Sequence, residues 1–120
     1  MANIRRTLED ALKIDGAIAA AIANWDAGLC LATAGGGPRL NIEAVAAGHG
    51  LVLKARMAAV AAGVARAVQE LLITLEDQVH LVRPLRRRER LFVCLAIDKA
   101  TGNLGIARHR LQGLASGLDM

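Results

Sequence analysis

Three histidines, two cysteines, one serine and a run of arginines are the residues of this chain whose types could do chemistry, and their spacing decides what they could do. His49, His80 and His109 stand far apart with no HxxxH, HxE or CxxC pair beside them, so the pattern that seeds a metal site is missing. They read as surface or partly buried side chains. Cys30 and Cys94 sit inside the apolar runs LCLA and LFVCLAI, where a reduced thiol behaves as a small hydrophobe. Neither has a basic neighbour in sequence, and Ser116 is the sole serine, so no activated nucleophile is written here. Asp98-Lys99 is a polar pair that an ordinary strand-to-helix turn explains.

Phosphate chemistry fares no better. Gly35-Gly36-Gly37-Pro38 precedes a helix, and Gly48-His49-Gly50 with Lys54 has a superficial nucleotide-binding look. A P-loop requires a Gly-Lys pair directly after a strand, and Gly48 and Gly50 fall inside a helix, away from its N-terminal amides. The cluster Arg86-Arg87-Arg88-Glu89-Arg90, lengthened by Arg83, reads as a solvated turn between strands. Contact with nucleic acid or another acidic surface is its alternative. With aromatics at 2% of the chain, only Trp25 and Phe92 could stack on bases, which argues against a single-strand platform. The composition points away from catalysis, cofactor and metal, and toward binding.

The elements that would carry such binding follow from periodicity. Ile4, Leu8, Ala11 and Leu12 recur at helical spacing, predicting an amphipathic helix over 3–13 that Asp15-Gly16 ends. The run AIAAAIAN and the run from Leu29 to Thr33 flank the turn Asp26-Ala27-Gly28 and predict a hairpin. Ala34 to Pro38 reads as a flexible loop delivering the chain to Asn41, an N-cap, with Leu40 and Val45 placed as a hydrophobic staple. From there to Val64 runs one long helix. Ile42, Ala46, Leu53, Met57, Val60 and Val64 form its core stripe; Ala44, Gly48, Ala55, Ala59 and Ala62 gather on the far side.

That far side is unusual, because a surface helix should be charged there. Small residues let another backbone approach at the short end of the roughly 8–10 Å range of helix packing distances. Gly48 and Gly50 cost about 1 kcal/mol each relative to Ala in a helix, and close packing by a neighbour would account for keeping them. Three strands follow, from Val68 to Glu76, Val79 to Pro84 and Leu91 to Ile97. The first alternates like an edge strand, while LFVCLAI is apolar at every position and belongs in the centre of the sheet. Leu104, Ala107, Leu111, Leu114 and Leu118 mark a closing helix from about Asn103. The order αββαβββα predicts an α+β, three-layer sandwich with helices on both faces of an antiparallel sheet. At 120 residues the whole chain, 1–120, makes one domain, with an expected radius of gyration of about 13–14 Å. A net charge of +4 spread over the chain reads as ordinary solubility charge, and the absence of a leader or long uninterrupted apolar run predicts a cytoplasmic protein without membrane insertion.

Taken together, the helix leading into IDGAIAAAIANWDAGLCLAT, the long small-residue helix, the hairpin LLITLEDQVHLVRPL and the closing NLGIARHRL resemble the roadblock family of dynein light chains and their bacterial and archaeal relatives. The resemblance spans nearly the whole chain and rests on order and spacing. It implies a profilin-like fold with a five-stranded antiparallel sheet in the order 2-1-5-4-3. It also implies a homodimer, or a heterodimer with a paralogous roadblock subunit, in which third strands pair edge to edge and middle helices pack together. Carried onto this sequence, the interface comprises Ala44, Gly48, Val52, Ala55 and Ala59 on the helix, with Glu70, Leu72 and Thr74 on the edge. Glu43, His49, Lys54 and Arg56 flank it as orienting groups. Bacterial and archaeal members are partners or regulators of small Ras-like GTPases and carry no catalytic residues, so a non-enzymatic dimeric adaptor is the implied function. The turn from Arg86 to Arg90 and the alanine-rich first strand depart from that family's pattern, and Arg83, Arg86, Arg87, Arg88 and Arg90 remain the possible patch for an acidic partner.

Overall fold

Among the described residues each α-helix begins on an asparagine, and between them these caps set the frame. In the computed structural model, which describes residues 3–88 and 90–118, α1 spans Ile4–Ala11, α2 Ile42–Ala61 and α3 Leu104–Leu118. The side chains of Asn3, Asn41 and Asn103 accept hydrogen bonds from the N–H groups of Arg6, Ala44 and Ile106, satisfying donors that a helix start leaves orphaned. The strands are β1 (Ala17–Asn24), β2 (Leu29–Gly35), β3 (Leu71–Thr74), β4 (Gln78–Pro84) and β5 (Leu91–Asp98). They form one antiparallel sheet in the order β2-β1-β5-β4-β3. The chain order αββαβββα and the radius of gyration, 13.3 Å, agree with the expectation.

β5 lies in the middle of the sheet because every residue from Phe92 to Ile97 is buried. Alanine is a poor strand former, yet β1 is a strand. Its backbone is paired on both sides, and Ala19 to Ala23 are buried, so tertiary context overrides propensity. The two faces of the sheet carry separate cores. On one, α1 and α3 pack Leu8, Leu111 and Leu118 against Ile22, Leu81, Val93, Leu95 and Ile97. On the other, α2 lays Ile42, Ala46 and Leu53 over Ala19, Ala21, Ala23, Val82, Phe92 and Cys94. Leu40 and Val45 both pack against that second core at the start of α2.

Four expectations about extent need correction. β3 begins at Leu71 rather than Val68: Leu71 pairs with Val82, and two residues further out the partner position falls on Pro84, which has no N–H to donate. α2 stops at Ala61, not Val64. Gly63 takes φ +77° while its N–H reaches Val60 O and the N–H of Val64 reaches Ala59 O, a Schellman closure that throws Val64 outside the core stripe into solvent. The glycine loop is shorter than expected, since β2 continues through Gly35 and a 3-10 turn at Gly37–Arg39 follows. At the β3–β4 turn the strand ends at Thr74, and Leu75 N–H closes the turn on Gln78 O. Glu89, within the arginine run, lies outside the described residues.

Candidate interaction surface

Helix α2 has two unlike sides. Its inner side rests on the alanines of β1, whose methyl groups let the helix lie close to the sheet. Gly50 belongs to this inner side. A Cβ built there would stand 3.5 Å from the Phe92 ring, so the protein's own core occupies the space that the sequence assigns to a partner. Gly48 is different, because a Cβ there would meet nothing within 4 Å. Among the described residues nothing requires a glycine at that position.

The outer side exposes Ala44, Gly48, Val52 and Ala55, with Ala59 half-buried at its margin. It also exposes a large residue that sequence reasoning passed over: Leu51 is 70% exposed and Val52 46%. By length and composition α2 is apolar enough to cross a membrane, yet its inner side closes a core of the sheet. The result is a 20-residue helix that is apolar on both sides and covered on one.

The flanking charges divide. Glu43, in the first turn of α2, and Arg56 are exposed. The Lys54 ammonium donates to Asp26 O at 3.3 Å and lies 3.7 Å from the Asp26 carboxylate, which ties α2 to the β1–β2 turn. His49 is turned inward and is half-buried. Its Nε2 lies 2.8 Å from Nδ1 of His80, and His80 Nε2 lies 2.7 Å from Gln78 Oε1. Gln78 Oε1 can only accept, so His80 Nε2 carries a hydrogen, His80 Nδ1 is the acceptor and His49 Nε2–H is the donor. With both imidazoles neutral, every link of the chain has one donor and one acceptor. Desolvation pushes His49 down to about 4, with His80 beside it adding to the shift. It also lowers His80, which Asp77 partly opposes.

This chain of three polar side chains was hidden by treating the histidines separately. His49 is spaced with Ala46, Gly50 and Leu53 on the inner side of α2, and His80 alternates with Gln78 and Val82 on β4. Helix and strand periods together could have brought the two histidines face to face. His49 is therefore a latch between α2 and the sheet rather than an outward orienting group.

On the edge strand, Leu72 is 44% exposed and Thr74 is exposed. One side of β3 pairs with β4, and the other has no strand beside it among the described residues. Glu70 precedes the strand and is committed within the protomer: its carboxylate binds Arg83 at 3.1 Å and also Arg108. The arginine turn is likewise engaged. Arg90 binds the Asp26 carboxylate at 3.0 Å, and Arg88 Nε donates to Leu118 O at 3.1 Å, while Arg86 and Arg87 are exposed. Burial raises both thiols, with Cys94 pushed up to about 12, which suits packing rather than nucleophilic attack. Asp98 accepts from the N–H of Ala100 in the turn after β5. Among the described residues no group of three or more His, Cys, Asp or Glu could hold a metal ion.

No protein-family model matches the sequence, and no curated protein does. Solved structures do match. An MglB with a tetrameric arrangement superposes with a TM-score of 0.79 at 19% identity, over 96% of this chain and 84% of that one. A roadblock/LC7 domain from Streptomyces avermitilis gives 0.74 at 14% identity, over 98% and 95% of the two chains. The gliding protein MglB of Thermus thermophilus gives 0.70 at 21% identity, over 96% and 84%. With its sheet order, its two helical layers and these superpositions, the chain has the roadblock/LC7 fold, a profilin-like α+β sandwich.

Proposed function

We propose that this protein is a non-enzymatic adaptor that dimerises through α2 and the free edge of β3, and that the paired α2 helices dock a small Ras-like GTPase. The observation that carries the reading is the outer side of α2, where Ala44, Gly48, Leu51, Val52 and Ala55 lie open to solvent. Such a surface is expensive to leave in water, and its small residues admit a second helix closely. Leu72 and Thr74 at the strand edge continue it with backbone donors and acceptors for a partner strand. Glu43 and Arg56 at the margins supply charges that orient the encounter without adding much affinity. The likeness to MglB and to a roadblock/LC7 domain supports the same reading, and a cytoplasmic, single-domain protein of residues 1–120 is part of it.

The test is calorimetric titration of the protein with purified small Ras-like GTPases, each loaded with GDP or with a non-hydrolysable GTP analogue. Binding to one nucleotide state, lost in Ala55→Arg, is the expected result. If no GTPase binds in either state, or if Ala55→Arg binds as well as the parent, docking through α2 is wrong.

A further inference from the structure

A ridge of leucines stands at the edge of the sheet farthest from β3. Leu29, the first residue of β2, is 64% exposed and Leu31 49%, and across a narrow crevice lined by Cys30 and Ala47 stands Leu51 of α2. Large apolar side chains gathered in water mark a contact surface. The strand beneath them is an edge whose side chains do nothing to repel a neighbour: β2 reads LCLATAG, with no charge and no proline, the residues that commonly blunt such edges. Its backbone is less inviting. The β1–β2 register shift passes over Leu31, and Gly35 sits at φ +73°, so an extended peptide adding a further strand would find only the short run between them. The side chains therefore carry the surface.

We propose that a second copy of this chain covers the ridge, the two copies related by a twofold axis with their α2 helices antiparallel, so that Leu29 and Leu51 of each pack against the other. Self-complementarity selects the occupant. A twofold contact sets a surface against itself, which is favourable where like charges do not meet. β2 brings no charge, and the α2 charges at the two ends of the ridge are opposite in sign. One is Glu43, close enough to Cys30 to help raise its thiol, and the other is Lys54. An axis level with Gly48 and His49, midway between them, puts Glu43 of one copy beside Lys54 of the other and each Leu51 beside a small Ala47. Lys54 keeps its contact with Asp26 and is half-exposed, so Glu43 of the second copy orients the pair and the leucines hold it. β2 and β3 are four strand spacings of about 4.8 Å apart, and Gly48, Val52 and Ala59 lie about 60–100° round α2 from Leu51, so the contact leaves the β3 edge open. It rests neither on that edge nor on GTPase docking. With three leucines at its centre it belongs to the small, weak class of contact, joining molecules at high concentration.

The experiment treats a mixture of light and isotopically heavy protein with a carbodiimide, which joins touching carboxylates and amines without a spacer, over concentrations up to about 1 mM. Along one α2 helix Glu43 and Lys54 stand about 16 Å apart, too far for such a bond, so a Glu43–Lys54 link reports two copies. Mass spectrometry should find that link between light and heavy chains, rising with concentration. In the double variant Leu29→Asp/Leu51→Asp, whose exposed positions leave the fold intact by circular dichroism, its yield should fall at least about tenfold. The Asp26–Lys54 link within one copy should persist there as the internal control. Absence of the light–heavy link, or equal yield in the double variant, would overturn the proposal, as would vesicle binding that the double variant loses with no link between copies. A dimer on the sizing column without the link overturns the ridge contact and leaves pairing through α2 and β3 intact. A link that persists when Gly48→Leu has made the column species a monomer supports the ridge as a separate contact.

Discussion

The two faces of the sheet are built from different materials. Under α1 and α3 the sheet presents Ile22, Leu81, Val93, Leu95 and Ile97, and large aliphatic side chains fill the layer as in most domain cores. Under α2 its buried positions are mostly small, Ala19, Ala21, Ala23 and Cys94, beside Val82 and the Phe92 ring, with Trp25, Leu71 and Ile73 at the margin and the pair His80 and Gln78 as a polar insert. The first face is held by volume; the second is held by closeness and by a hydrogen-bonded latch. A helix seated on small residues gives up apolar burial to its own sheet, and α2 retains an apolar outer side with which to recover it from a partner. On the proposed reading, the difference gives stability to one face and interaction to the other.

The most destructive way to probe that contrast is to empty the thick face. Leu95→Ala should cost about 2–5 kcal/mol, read as a drop in the urea midpoint with unchanged slope. On the α2 face the comparable lever is pH. His49 is held at about 4 against an ordinary 6.5, so the unfolded chain takes up its proton first as pH falls. The His49 contribution is therefore fully present above about 6.5 and is lost progressively as pH drops toward 4, by less than the full shift implies because the ring is only half-buried. His49→Gln retains a donor for His80 Nδ1 without titrating, and the part of the acid destabilisation between pH 6.5 and 4 that belongs to His49 should vanish in it. Next in size, Ala21→Val pushes α2 off the sheet, with an overpacking cost of about 1–3 kcal/mol in thermal melts. Smallest is Gly48→Ala. Its Cβ meets nothing in the protomer, so it should stabilise the isolated fold by up to about 1 kcal/mol, a gain that marks the glycine as kept for something outside the protomer.

How much of this could be read from the chain depends on whether the signal was local. The all-apolar run at β5 gave away its central place, Asn41 gave away the start of α2 and the leucine spacing that of α3, because burial on both faces, cap chemistry and helical period are written in neighbouring residues. The end of α2 at Ala61 was legible in Gly63 but was overridden by the apolar Val64 beyond it. The truncation of β3 was not local, since it depends on Pro84 in the next strand. The candidate surface divides in the same way. Ala44, Gly48 and Ala55 fall on the outer side by helical period alone, whereas the inward turn of His49, the role of Gly50 and the engagement of Glu70 by Arg83 and Arg108 depend on which residues β4, β5 and α3 bring beneath them.

The central claim is that the outer side of α2 is a surface for a second copy of this chain. Light scattering on a sizing column, at low and at high salt, tests it for the wild type and for Gly48→Leu. The account predicts a wild-type dimer that salt does not dissociate, as apolar strand and helix pairing requires, and a folded monomer for Gly48→Leu. A wild-type monomer, or a dimer that Gly48→Leu leaves intact, would contradict it.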